Sequence, residues 1–267
     1  MLFRLQRQQT SKETQRLTPG IIGSTAGATA DSTFYTELLP PLQQRKTTRD
    51  TRVHIENGDS FTVAQLLVAS GQTKVAVLNM ASDRNPGGGW LRGALAQEEA
   101  LCLRSTLAAT LNDSHYPTPP IAATWSPGVV VFREEVVNDC QILEKSDRFV
   151  VGVVSVAGLR RPPLTGDELD YRFPKDTELM KNKIRQILRV MAVNGVSCCV
   201  LGALGCGAFG NPPKRVARLF RDVISEIEFI GHFDEIVFAI LDQKREGNIQ
   251  VFEDVIGDFA IERNNEV

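Results

Sequence analysis

The chain has 267 residues, 42% hydrophobic and 23% charged, a composition that excludes disordered and fibrous classes and fits an ordinary folded domain. Its 30 Lys and Arg nearly balance 32 Asp and Glu, giving a formal net charge of −2 and none of the basic excess that a broad nucleic-acid footprint needs. No apolar run approaches the roughly 18 residues that span a bilayer, and the opening stretch MLFRLQRQQTSKETQ lacks the apolar core and cleavage site of a secretory signal.

Residues 1–50 are polar, with stretches such as TPGIIGSTAGATADST, and read as an N-terminal extension carrying one or two short helices. From residue 51 to 267 short β-branched runs alternate with segments of helical spacing. The expected strands are Lys74–Asn79, Gly128–Phe132, Phe149–Ala157, Ser197–Leu201 and Glu235–Leu241. The expected helices are Val63–Ser70, Gln97–Leu111, Asp176–Val193 and Pro212–Ile230. Several strands are apolar almost throughout, as when helices cover both faces of a sheet. Gly195 stands where a helix C-cap belongs, and Asn211 before Pro212 and Pro213 reads as a helix start. The sum is an α/β sandwich with one core.

The five cysteines are odd in number and never spaced CxxC, which predicts free thiols in a reducing compartment. The three histidines, His54, His115 and His232, are too scattered to suggest a metal, and neither metal nor cofactor is expected.

Two segments stand out. NPGGGWLRGALAQEEALCLRSTL places Gly87, Gly88 and Gly89 after one strand and Gln97, Glu98 and Glu99 at the head of a helix. Ligands of open α/β sheets bind at such C-terminal strand ends. Consecutive glycines there can bring backbone N–H groups to an anion; a glycine cluster can equally be a plain turn. Acidic residues in a first helical turn have a simple role too, stabilising the macrodipole by about 0.3–1 kcal/mol each. Glu99, one turn before Leu103, points toward the sheet. Partial desolvation beside a second carboxylate would raise its pKa, as a general acid requires. Leu103, Leu107 and Leu111 share a face and read as core.

The second segment, Gly202 to Pro213, repeats the context with Gly205, Cys206, Gly207, Ala208, Phe209 and Gly210 between a strand and a helix. Two such loops can grip a diphosphate. Gly205, Gly207 and Gly210 also satisfy GxGxxG, the formal dinucleotide-binding pattern. They come late in the chain, however, and the Asn-Pro-Pro spacer starts the helix after the last glycine. Phe209 either fills a core gap or covers a sugar or base.

The glycine triplet, a seven-residue gap and Gln-Glu-Glu, with VLNMASDRNPGGG and LGALGCGAFGNPP around them, resemble the poly(ADP-ribose) glycohydrolases of microbial, bacterial and fungal, type. The resemblance covers roughly residues 50–245. It implies a macrodomain-like three-layer α/β/α sandwich with a mixed sheet, after an N-terminal extension. It also implies that Glu99 is catalytic, that Glu98 and Asn79 hold hydroxyls of the scissile ribose, and that both glycine loops hold the diphosphate. Gln97 belongs to the same binding set, and Phe209 would lie beside the distal ribose. Met80 stands where the family usually has Phe, and Asp83 where a small residue is common.

Independently of the resemblance, neighbouring helical residues point about 100° apart and cannot flank a glycosidic bond as opposed acid and nucleophile. One carboxylate must therefore protonate the leaving oxygen and later deprotonate the water. The activity that the resemblance implies is hydrolysis of ribose–ribose bonds in poly(ADP-ribose), and the expectation is an intracellular monomer, in nucleus or cytoplasm, meeting ADP-ribosylated proteins but neither membrane nor nucleic acid. Alternatives are an ADP-ribose-binding module, a mono-ADP-ribosyl hydrolase and an NAD-dependent oxidoreductase using the GxGxxG loop.

Overall fold

The structure is a computed structural model that describes residues 2–45, 50–242 and 247–261. Fourteen elements follow in chain order: α1 (Arg4–Ser24), β1 (Thr33–Tyr35), β2 (Thr51–Glu56), α2 (Ser60–Ala69), β3 (Val75–Met80), α3 (Gln97–Arg104), β4 (Ala123–Val131), β5 (Phe149–Val156), α4 (Pro174–Val193), β6 (Cys198–Leu201), α5 (Pro213–Ile224), β7 (Glu235–Ala239), α6 (Asn248–Val255) and β8 (Phe259–Ile261). The strands make one eight-stranded sheet in the order β1-β4-β5-β3-β6-β7-β2-β8. Its central five, β5 to β2, run parallel, and β4, β1 and β8 pair antiparallel at the two sides.

The period-two alternation of a strand sends neighbours to opposite faces, and β3 shows the result. Ala76 and Leu78 join a core with Ile184, Ile187, Val216 and Phe220 of α4 and α5. Val75 and Val77 join a second core with Phe61, Leu67, Leu101 and Leu103 of α2 and α3. The sheet is thus the middle of three layers, and the expected α/β/α sandwich with a mixed sheet is the fold observed.

Residues 1–50 do more than extend the chain. They form one 21-residue helix rather than short ones, and they lend β1 to the sheet edge. Helix α1 lies against the segment leading into α3: Arg4 Nε and Gln8 Nε2 donate to the Arg92 carbonyl, Arg7 Nε to that of Gly93, and Thr14 Oγ1 to that of Leu103. The N-terminal helix therefore braces the approach to the Glu pair.

Two expectations are corrected. The helix from Gln97 stops at Arg104 instead of reaching Leu111. Ser105 is extended and bridges to Val131, its hydroxyl turns back to the Leu101 carbonyl, and Thr106 Oγ1 accepts the Val130 N–H. Side chains of this type compete with the helix for backbone groups. Leu103, Leu107 and Leu111 are all buried even so. Asn211 does not cap α5, whose N-cap is Pro212. Its buried amide instead donates to the carbonyls of Leu159 and Gly205 and accepts from the Tyr171 hydroxyl, tying two loops together. Among the described residues all five cysteines are free thiols, and no helix is long and apolar enough to cross a membrane.

Candidate active site

Strands β5, β3 and β6 are neighbours and parallel, so the loops leaving their C-terminal ends emerge side by side. This is the crevice where open α/β sheets bind ligands. Asn79 near the end of β3 lies on the same face as Val77, the face that α3 covers, and is fully buried.

Helix α3 is pinned over that end by Gln97. Its Oε1 accepts the Met80 N–H at 2.9 Å, and its Nε2 donates to the Leu78 carbonyl and to Ser60 Oγ at 2.7 and 3.2 Å. Both ends of the amide are engaged within the protein, so Gln97 anchors the site from behind rather than reaching toward a ligand.

Glu98 is buried, only 3% exposed. Its Oε2 accepts the Ser82 N–H at 2.7 Å and its Oε1 the Asn79 amide at 3.3 Å. Burial pushes its pKa up to about 8, against those two hydrogen bonds and helped by the charge of Glu99. The desolvated carboxylate expected at Glu99 is thus found at Glu98. Glu99 is half-buried, with Oε1 accepting the Gly89 N–H and Oε2 the Ala96 N–H, each at 2.9 Å. Each oxygen is engaged by one N–H only and keeps a further site for a substrate. The Asn79 amide also donates to Ser155 Oγ at 3.0 Å, and its buried Oδ1 has no partner among the described residues. A buried acceptor without a donor costs about 1–3 kcal/mol, a cost that a ligand hydroxyl would remove.

The geometry gives the glycine triplet a job that differs from the one expected. The Gly88 N–H is spent on the Asn85 carbonyl and that of Gly89 on Glu99, so two of the three are not offered to an anion. What the carboxylates need is space. A Cβ on Gly88 would lie 2.5 Å from Glu99 Oε1 and 3.0 Å from Glu98 Oε2, and its φ of +60° disfavours any side chain. Gly88→Ala is expected to reduce turnover at least about tenfold and to cost about 1–2 kcal/mol of stability. Turnover and urea midpoints check this, with Gly166→Ala, which meets nothing within 4 Å, as control. A variant that behaves like the control would contradict the packing described.

The second loop does present open donors. The N–H groups of Gly207, Ala208 and Phe209 make no hydrogen bond among the described residues, and Gly207 and Ala208 are exposed. Gly205 and Gly210 turn the chain at its two ends with φ of +75° and +67°. Successive free N–H groups of this kind form an anion-binding concavity. The Cys206 thiol turns into the core, and burial raises its pKa, so that residue offers the pocket its backbone alone. Phe209 fills no core gap. It stays half-buried, with its ring under the Arg160 guanidinium.

The residues expected at the site are therefore assembled around one crevice, with Gln97 and Cys206 turned away. Sequence reasoning missed Tyr116 and Arg160. Tyr116, in the loop before β4, has its phenol pKa raised by burial and by the nearby charge of Glu98. No spacing marks either residue, because both sit on irregular loops.

The model of the microbial-type PARG (poly(ADP-ribose) glycohydrolase) catalytic domain matches residues 9–134, a span that holds Asn79, the glycine triplet and the Glu pair. The poly(ADP-ribose) glycohydrolase of Thermomonospora curvata superposes with a TM-score of 0.77 at 25% identity, over 94% of this chain and 99% of that one. The chain carries the microbial-type poly(ADP-ribose) glycohydrolase signature and fold. The poly(ADP-ribose) glycohydrolase of Deinococcus radiodurans, solved in complex with ADP-ribose, superposes with a TM-score of 0.70 at 26% identity, over 90% of this chain and 96% of that one. The Thermomonospora enzyme bound to the inhibitor ADP-HPD, at 24% identity and TM-score 0.74, shares the fold. No curated protein matches the sequence. The matched span 9–134 takes in most of α1, in keeping with its packing on the loop that precedes α3.

Proposed function

We propose that the chain hydrolyses the ribose–ribose O-glycosidic bonds of poly(ADP-ribose), releasing ADP-ribose, with Glu99 as general acid and then general base. One observation carries the residue roles. A half-open carboxylate, Glu99, stands beside a buried Glu98–Asn79 pair, and the Asn79 Oδ1 lacks a donor among the described residues. The Glu98 carboxyl, protonated at neutral pH by its burial, and the Asn79 carbonyl are matched to the hydroxyls of the ribose to be cleaved. Glu99 then protonates the leaving oxygen. The bond from that oxygen to the anomeric carbon breaks, positive charge develops on the ribose that keeps this carbon, and the diphosphate held at 207–209 stabilises it. Water attacks the same carbon, and Glu99, now ionised, takes its proton. The protons balance with one catalytic carboxylate and no metal.

On this reading residues 51–267 are the catalytic domain and 1–50 its N-terminal extension. The partners are ADP-ribosylated proteins. The free thiols fit a reducing compartment, nucleus or cytoplasm. A pure binding module would need no titratable Glu at the triplet, which favours the enzyme.

The test is ligand-induced stabilisation. ADP-ribose at 100 times its dissociation constant is expected to stabilise the fold by about 2.7 kcal/mol. This is measured as a rise in melting temperature against NAD at equal concentration. A shift with NAD and none with ADP-ribose would favour the oxidoreductase reading and sink this one.

A further inference from the structure

Three loops, leaving β3, β5 and β6, are tied together at the rim of the crevice by side chains that the hydrolytic scheme does not use. Arg160 Nε donates to Asp83 Oδ1 at 2.7 Å, and its Nη2 donates to the same oxygen. Asp83 is itself fixed by the Thr118 N–H, which its carbonyl accepts at 2.9 Å. On its other side the guanidinium carbon lies over Phe209, 4.2 Å from the ring centre. The next residue along, Arg161, donates its N–H to the Phe209 carbonyl at 2.8 Å and holds φ at +49°, a conformation that arginine rarely adopts.

Among the described residues Phe209 joins none of the hydrophobic cores, and its neighbours Gly207, Ala208 and Gly210 are exposed. The ring's orientation is thus held by Arg160 and by the Arg161 backbone contact. A ring covered on one face by a guanidinium keeps its other face for a sugar. Only arginine combines a flat stacking surface with a fork that reaches a carboxylate.

We propose that Arg160, held by Asp83, is a positioning residue that fixes the Phe209 ring against the ribose of the bound ADP-ribose unit, as a strap across the crevice. This rests on the ADP-ribose reading above. It assigns Asp83 and Arg160 to one device, so removing either should have the effect of removing both.

The experiment compares wild type with Asp83→Asn, Arg160→Ala, Arg160→Lys and the Asp83→Asn/Arg160→Ala double variant. Its first readout needs no activity: the rate of chymotrypsin cleavage at Phe209–Gly210 in the folded protein. Cleavage should be faster in both single variants and no faster in the double. The second readout is turnover on poly(ADP-ribose) beside ADP-ribose affinity. Turnover should fall about threefold to tenfold, the range a cation–π contact covers, while affinity changes by less than about twofold. Arg160→Lys should restore little, since it keeps the charge and loses the flat stack. Unchanged cleavage in both single variants would overturn the strap. So would full rescue by Arg160→Lys, which would reduce the role to charge, or a parallel loss of turnover, affinity and melting temperature, which would reduce it to support of the fold. A wild type that releases no ADP-ribose would refute the proposed function instead, and the cleavage readout would still decide the strap.

Discussion

Glu99→Gln is expected to lower turnover on poly(ADP-ribose) by about 10²–10⁴-fold, the usual loss when a general acid is removed. The structure adds a second expectation. Both Glu99 oxygens accept backbone N–H groups, from Gly89 and Ala96, and a glutamine can serve only one of them. One N–H will face an NH₂ group, at a cost of about 1–3 kcal/mol. ADP-ribose affinity should change little, because the open donors lie in the other loop, at Gly207, Ala208 and Phe209. Turnover, ADP-ribose binding and urea midpoints separate the roles. Near-normal turnover with a lowered midpoint would mean that Glu99 serves only the start of α3, the simpler role open to an acidic pair there.

The second large effect is a pH dependence of stability carried by Glu98. Its folded pKa, about 8, lies above the ordinary value of 4.5 because burial disfavours the charge. Between those two values folding requires the carboxyl to hold a proton that the unfolded chain has released. The stability it contributes is therefore full below about 4.5 and is lost as pH rises through about 8. Each tenfold change in proton affinity is worth about 1.4 kcal/mol, so the whole change is on the order of 5 kcal/mol. Glu98→Gln keeps the shape and has no charge to bury, so its advantage over wild type should grow from about pH 5 to about pH 8. Denaturation midpoints of the two proteins across that range measure it. Parallel curves would show that Glu98 is not the desolvated group.

The fold was legible where patterning is strong. Apolar β-branched runs place β3, β5, β6 and β7 to within a residue or two. The parallel centre of the sheet follows from the helices between them. Three strands were not: β2, whose TRVHIE is mostly polar, and the edge strands β1 and β8, whose three residues each are too few for a period to show. Helix α1 has the moderate polarity of a helix that buries Ser11, Thr14 and Thr18 along with Ile21, so its inner face does not read as apolar. The end of α3 at Arg104 is decided by pairing with β4, which lies far along the chain. At the site, glycines and carboxylates are rare enough in such spacing to be noticed. Which carboxylate is buried depends on Asn79 and Ser82, contributed by another strand and its loop. The Asp83–Arg160–Phe209 contact joins three loops and has no trace in local sequence.

Hydrolysis of poly(ADP-ribose) at this crevice is measured directly by incubating the purified wild-type protein with the polymer, without added metal or cofactor, and separating the products. Free ADP-ribose is expected to accumulate with wild type and to fall by about 10²–10⁴-fold with Glu99→Gln at equal protein concentration. Polymer that stays intact while ADP-ribose still raises the melting temperature would contradict this mechanism, and would make the protein a reader of ADP-ribose rather than an enzyme that removes it.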